Sequence, residues 1–590
     1  MRALRTLAFL AVAGLPAHAM GATITILNAD APGEGFNDPT PAAPVGGNAG
    51  TTLGEQRLIA FEFAASIWED LLDTPVEIIV RSNFDPLACT ATSAVLGSAG
   101  PATASANFEG ALLPGTWYAA ALANRLSGVD LAPDIHDLQA RFNANLGTTG
   151  CLETSGWYLG LDNNFGPNID LVTVLLHEFA HGLGFTSFFN RATGALLVDA
   201  ETGVGLPDAY MVNLFDNTTG KAFDEMTDAE RQVATINPRQ VVWTGDNVTG
   251  AVPDHLAEGT PILTADSPAS IAGEYLIGTA SFGPPIGAPL TGEVVLATDD
   301  VVGTPGGTLT DACEPITNGA EVAGKIALVD RGLCAFTIKV ANAQAAGAIA
   351  VVVADNVAGS PPTGLGGADP AITIPSVRVT LDTGIAFKAA LPGVVITLEL
   401  DPTRRAGADA EGRAMIFTPN PLVGGSSIAH FDTSLTPNVL MEPAINVDLG
   451  HDVDLTLPLF RDIGWLADAD LDGALDGADN CPTVPNADQA DSNEDGIGNA
   501  CPIRPILECV RRRGLLNFTA RFGYENAESV SRDLPVGVPF NFFTPGVNRG
   551  QPGTFSAGRQ RNVFEVNGRV LLIWVLGDRA VLATPFSPRC

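Results

Sequence analysis

A chain of 590 residues is too long for one hydrophobic core, and roughly three to five domains are expected. Its 46% hydrophobic and 7% aromatic content is that of folded domains, not of a disordered polymer. A formal net charge of −35 excludes nucleic acid and anionic membrane surfaces as natural partners and favours cation binding.

Residues 1–19 read as a secretory signal: Arg2 and Arg5, an apolar stretch from Leu7 to Leu15, then Ala17-His18-Ala19 as a small-x-small cleavage site. That stretch is too short to span a bilayer, so an exported chain without stable membrane insertion is expected. Thr23–Ile26 reads as a strand, and the Gly-, Pro- and Asn-rich stretch 33–52 as loop. Leu58–Leu72 has helical apolar spacing, Val76–Val80 reads as a strand, Ile135–Leu146 as a surface helix and Trp157–Leu161 as a short strand. Together these predict an α/β layer over residues 23–245.

The run Asp170–Leu176 is apolar nearly all round, as in a helix crossing a core. It leads into His177-Glu178-Phe179-Ala180-His181-Gly182-Leu183-Gly184-Phe185. Residues i and i+4 lie above one another on a helix, so His177 and His181 can reach one metal ion. Glu178 then stands beside the ion, where a carboxylate can take a proton from a water and return it to a leaving amine. Gly184 suits the end of that helix.

A hydrolytic zinc site usually has three protein ligands and one open position. The third-histidine position of H-E-x-x-H-x-x-G-x-x-H falls on Ser187, which cannot serve. Glu201 lies 20 residues after His181 (201 − 181) but in loop chemistry, and His430 stands far downstream. His255 and His451 are the remaining alternatives. With His177, Glu178, His181, Gly184, Phe185, His430, Leu440, Met441, Pro443 and Trp465, the pattern resembles the leishmanolysin family of metzincin zinc proteases. The resemblance implies that His430 is the third zinc ligand, that Met441 underlies the metal, and that Glu178 is the catalytic base. The 249 residues from His181 to His430 (430 − 181) are far more than usual for that family.

An insertion at 246–410 accounts for most of the excess, with the catalytic domain resuming over 411–466. Lys325–Arg331, Cys334 and Lys339–Ala343 give it a resemblance, across roughly 270–400, to the protease-associated (PA) domain. That implies a β-rich lobe that binds or gates substrate and performs no chemistry.

Residues 467–502 carry Asp468, Asp470, Asp472, Asp476, Asp479, Asp491, Asn493 and Asp495, carboxylates and amides in alternation that suit structural calcium. The run resembles a thrombospondin type 3 repeat. Residues 505–590, rich in phenylalanine among turn residues, predict a small β-sandwich. Eight cysteines in an oxidising compartment suggest consecutive bridges: Cys89–Cys151, Cys313–Cys334, Cys481–Cys501 and Cys509–Cys590.

The expectation is a secreted, multidomain α+β zinc endopeptidase with one catalytic zinc and structural calcium, acting on proteins or peptides. Surface or substrate attachment falls to the PA and C-terminal domains. The rival is a calcium-stabilised binding or adhesion protein with a degenerate protease domain, which has no need of Glu178.

Overall fold

Strand β1 (Ile24–Asn28) runs parallel to β2 (Ile78–Asp85), with Ile24 opposite Ile78. Between them helix α1 (Leu53–Leu71) starts at a capping box: Thr52 Oγ1 accepts from the Glu55 N–H, and a Glu55 carboxylate oxygen accepts from the Thr52 N–H. Strand β3 (Gly97–Pro101) and strand β4 (Leu138–Asn143) complete a four-stranded sheet of order β1-β2-β4-β3. β2 and β4 are parallel, whereas β3 is antiparallel to β4 and forms the sheet edge. Residues 22–300, 307–466, 503–513, 516–526, 531–537, 541–556, 558–576 and 579–590 are described by this computed structural model. The expected signal, the acidic residues from Asp468 to Asp495 and the Cys481–Cys501 bridge lie outside them.

The helix expected over Ile135–Leu146 is instead strand β4, and His136 sits in the loop ahead of it. Leu138, Ala140 and Phe142 are buried at alternate positions, a period of two that overrides the helical reading of so short a run.

Helix α2 (Leu171–Leu183) carries the H-E-x-x-H motif, and all thirteen of its residues are buried. Asp170 caps it, its carboxylate accepting from the Thr173 N–H at 2.9 Å and the Thr173 hydroxyl at 2.7 Å. Gly184 ends it at φ +127°. The Phe61 ring on α1 lies 5.0 Å from Phe142 on β4 and 6.0 Å from Phe179 on α2, so one aromatic cluster joins helix to sheet. Trp465 donates its indole N–H to the Leu183 carbonyl at 2.7 Å, satisfying a backbone group at the end of the motif helix.

Residues 258–405 form an eight-stranded sheet whose middle strands, Leu290–Leu296, Ile326–Asp330, Ala350–Ala354 and Ser376–Val379, run parallel. The long strands Glu258–Ser267 and Val395–Arg405 pair antiparallel, with Glu258 opposite Arg405, so the chain leaves and returns at one place. Just outside, Trp243 N–H donates to Ala414 O and Ile416 N–H to Val241 O, both at 2.9 Å. Phe417 N–H in turn donates to the carbonyl of His430 at 2.9 Å. A folded insertion with adjacent ends leaves the two flanking halves free to pair.

Met20–Trp465 is one compact unit and Leu466–Cys590 belongs to another. In the latter, two three-stranded antiparallel sheets enclose Phe518, Phe522, Phe543 and Trp574. One strand of that unit ends at Arg569 and the next begins at Leu572, with Val570 at φ +68° between them. Disulfides join Cys89 to Cys151, Cys313 to Cys334 and Cys509 to Cys590. No helix among the described residues is long and apolar enough to cross a membrane.

Gly182 is where α2 meets the sheet: an added Cβ would stand 2.2 Å from Leu138 Cδ2 and 2.4 Å from its Cγ. Leu138 is itself 1% exposed and cannot swing away. Gly182→Ala should therefore cost about 1–3 kcal/mol of stability. Gly250→Ala, in a helix with open space at the Cβ position, should gain up to about 1 kcal/mol. Urea unfolding of both variants checks the pair.

Candidate metal centre

Two of the candidate ligands come from α2 and the third from the segment beyond the eight-stranded sheet. The His177 and His181 Nε2 atoms are 3.2 Å apart, His177 and His430 3.2 Å, and His181 and His430 3.3 Å. The Nδ1 atoms face backbone carbonyls: His177 to Leu440 O at 2.7 Å, His181 to Phe185 O at 2.9 Å and His430 to Ser426 O at 2.9 Å. A carbonyl can only accept, so each Nδ1 carries the proton and each Nε2 presents a lone pair.

Three lone pairs facing one another without a proton between them repel, and a cation at their centre removes the conflict. A tetrahedral ion with metal–nitrogen bonds of about 2.0 Å sets its ligand nitrogens about 3.3 Å apart, matching the triangle found. The donor set, three neutral imidazoles, suits zinc among the common divalent ions. Burial is the main cause that lowers the pKa of His177 to about 4 and that of His181 to about 3. Burial likewise holds His430 well below its ordinary value, so all three rings are neutral and ready to ligate.

Glu178 is 7% exposed, and burial pushes its pKa up to about 8, against the lowering effect of a hydrogen bond to the Ala99 backbone. Strand β3 lies directly on it: a Cβ at Gly97 would stand 2.8 Å from Glu178 Oε1. Only glycine lets the strand approach this closely. The two elements bound a cleft of about 720 Å³ lined by Thr92–Ala99, the three histidines, Glu178, Thr186, Arg191 and parts of 424–430 and 443–445.

Met441 is fully buried in the turn whose Leu440 carbonyl holds His177. Its own carbonyl accepts from Phe431 N–H at 2.9 Å, tying that turn to the residue after His430. Asp454 fixes the turn from the other side by accepting from Leu440 N–H at 2.5 Å. The other ligand candidates are elsewhere. Glu201 is exposed in a turn, and Ser187 donates to Asp208. His255 and His451 line a separate cavity, where His451 pairs with the helix-capping Asp170 at 2.8 Å. Cys89, which could have offered a thiolate, is bridged to Cys151.

The edge strand and Arg191 escaped the sequence reading. Gly97-Ser98-Ala99-Gly100-Pro101 has almost no strand propensity, and a lone arginine in a turn carries no pattern. A second acidic group, Asp299, Asp311 and Glu314, lies in the 258–405 segment. Burial lowers the pKa of the nearby Lys339, which these carboxylates help to keep charged.

Residues 290–387 match the PA domain family, bearing out the resemblance expected there. The chain is 36% identical over 156 residues to Vacuolar-sorting receptor 2 of Arabidopsis thaliana, covering 24% of each chain. It is 34% identical over 132 residues to Probable lipoprotein aminopeptidase LpqL of Mycobacterium tuberculosis, covering 22% of this chain and 24% of that one. It therefore spans about a quarter of the length of these curated relatives. Among solved structures it is similar to the zinc aminopeptidase BSAP from Bacillus subtilis, with 23% identity and a TM-score of 0.18 over 26% of this chain and 36% of that one. The subtilisin-like protease Apa1 from Pseudoalteromonas sp. AS-11 is similar at 20% identity and a TM-score of 0.20, over 30% of this chain and 38% of that one.

Because the folded histidines are already neutral well below pH 6.5, protons compete with metal only near their depressed pKa values. Zinc affinity should stay nearly level from about pH 7 to pH 5, begin to fall around pH 4 as His177 takes up a proton, and fall more steeply towards pH 3 as His181 follows. Competition titrations against a chelator of known proton affinity measure this. A fall centred near pH 6.5 would mean that the rings are solvated and not held as described.

Proposed function

We propose that this chain is an exported zinc endopeptidase of leishmanolysin-like metzincin type, with Glu178 as general base. The observation that carries the reading is the convergence of three unprotonated Nε2 atoms beside a buried carboxylate in an open cleft. Zinc in that triangle would polarise a substrate carbonyl and acidify a water at its open position.

The chain's own residues then have distinct tasks. His177, His181 and His430 hold the ion, oriented by the Leu440, Phe185 and Ser426 carbonyls. Glu178 takes the proton of the attacking water on a carboxylate oxygen and passes it to the departing nitrogen. Burial alone raises its pKa, and a cation held by the three histidines would draw it back towards the ionised form that accepts a proton. Among the described residues β3 pairs with β4 alone, and it borders the cleft, so an extended peptide can add to it as a further strand. Main-chain pairing of this kind seats a peptide from within a longer chain, which favours endopeptidase action.

The PA domain does not by itself select a peptidase, since the relatives sharing sequence with this chain include a sorting receptor as well as an aminopeptidase. Its role here would be binding or gating of substrate. Structural calcium in the acidic run at 467–502, an amino-terminal export signal and attachment through the carboxy-terminal β domain complete the proposal. The binding-protein alternative leaves the buried, proton-exchanging Glu178 without a task.

Casein hydrolysis by the purified, zinc-loaded protein tests the reading beside Glu178→Gln. Activity should fall at least about a hundredfold in the variant while zinc content stays at one ion per chain. Equal activity in both proteins would exclude Glu178 as the base.

A further inference from the structure

Among the described residues, Arg191 is a cation without a hydrogen-bonded partner in a cleft otherwise almost free of charge. Among the described residues lining that cleft, only Arg191 and Glu178 carry acidic or strongly basic side chains. The Arg191 Nε is buried and has no hydrogen-bond partner. Burial lowers its pKa from the usual arginine value, the nearby Tyr210 and Asp208 acting in the opposite direction. Its charge is close enough to the metal centre to lower the pKa values of His181 and His430.

The neighbouring carboxylate is committed to other donors, and the neighbouring hydroxyl is turned towards a backbone carbonyl. Asp208 accepts from Ser187 Oγ at 2.7 Å, from Phe188 N–H at 2.8 Å and from Met211 N–H at 2.8 Å. The Tyr210 hydroxyl donates to Ile428 O at 2.8 Å. Desolvating a guanidinium while giving the neighbouring carboxylate three other donors is costly unless a ligand supplies the anion.

The turn that carries Arg191 is held in place. Asn190 Oδ1 accepts from the N–H groups of Ala192 at 3.0 Å and Thr193 at 3.1 Å. The buried Arg231 donates from Nε to Gly194 O at 2.6 Å, and Gln232 donates to Ala192 O at 2.6 Å. Gly194, at φ +75°, presses so closely on the next helix that an added Cβ would lie 1.8 Å from Asp228 O. A turn anchored on both sides presents its arginine without the ordering cost of a mobile loop.

We propose that Arg191 binds a carboxylate of the substrate within the cleft and so sets a preference for acidic peptides. The proposal rests on the peptidase reading, which supplies the class of ligand. A planar guanidinium matches a carboxylate through two parallel N–H···O bonds, a match that lysine cannot reproduce. The carboxylate can come from an Asp or Glu side chain or from a peptide carboxy terminus.

Equilibrium binding separates this from catalysis. The probes are acetylated hexapeptides with one Glu moved through successive positions, each beside a Gln twin, prepared as amides and as free acids. They are titrated by calorimetry into the zinc-loaded Glu178→Gln protein with Arg191 intact, and into the same protein carrying Arg191→Met or Arg191→Lys. With Arg191 present, one Glu position should bind at least about tenfold tighter than its Gln twin. The preference should vanish in Arg191→Met and shrink in Arg191→Lys.

A preference that follows the free terminus and not the side chain assigns the carboxylate to the peptide end. Equal binding of all twins together with equal binding of amides and free acids, or a preference that survives Arg191→Met, overturns the inference. The comparison of twins in the protein with Arg191 needs no Arg191 variant, so it stands even if a variant fails to fold. A clear preference alongside no hydrolysis by the wild type would refute the peptidase reading and leave carboxylate binding by Arg191 standing.

Discussion

Three imidazole lone pairs held 3.2–3.3 Å apart are the constraint around which the larger unit is arranged. Unprotonated nitrogens do not approach one another spontaneously, so their positions must be imposed by the scaffold. Two are set by the pitch of one buried helix, capped by Asp170 and closed through Trp465. The third is set by the pairing that links 241–243, 414–416 and the His430 carbonyl. Each ring is then turned by a backbone carbonyl from a separate loop. Such support in advance of metal binding is what keeps the cost of assembling the site low.

The separation of 249 residues between His181 and His430 has a mechanical explanation. The eight-stranded sheet departs and returns through paired strands with Glu258 opposite Arg405, so it adds length without moving the ends. The flanking segments pair as if they were consecutive. A lobe attached in this way leaves the metal helix undisturbed, and residues 290–387 within it match the PA domain family.

Legibility in the sequence followed the range of the interaction. The i, i+4 histidines, the apolar helix and Gly184 are local, and elementary helix geometry is enough to read them. The PA segment was legible through the resemblance carried by Lys325–Arg331, Cys334 and Lys339–Ala343, and its strands include the fully buried run Ala350–Ala354. His430 was accessible only through resemblance, because nothing local distinguishes it from His451 or His255. β4 was misread because Leu138–Asn143 is short enough for either period, and only burial against α1 and α2 selects the strand. β3 and Arg191 had no local signal: one is made of small residues that fit against Glu178, the other matters for what it lacks.

The most direct test of the central claim is zinc K-edge X-ray absorption on the zinc-loaded protein. The account predicts four light scatterers at about 2.0 Å with multiple scattering from three imidazoles, falling to two imidazoles in His430→Ala. A spectrum with sulfur, with two imidazoles in the wild type, or unchanged by His430→Ala would contradict it.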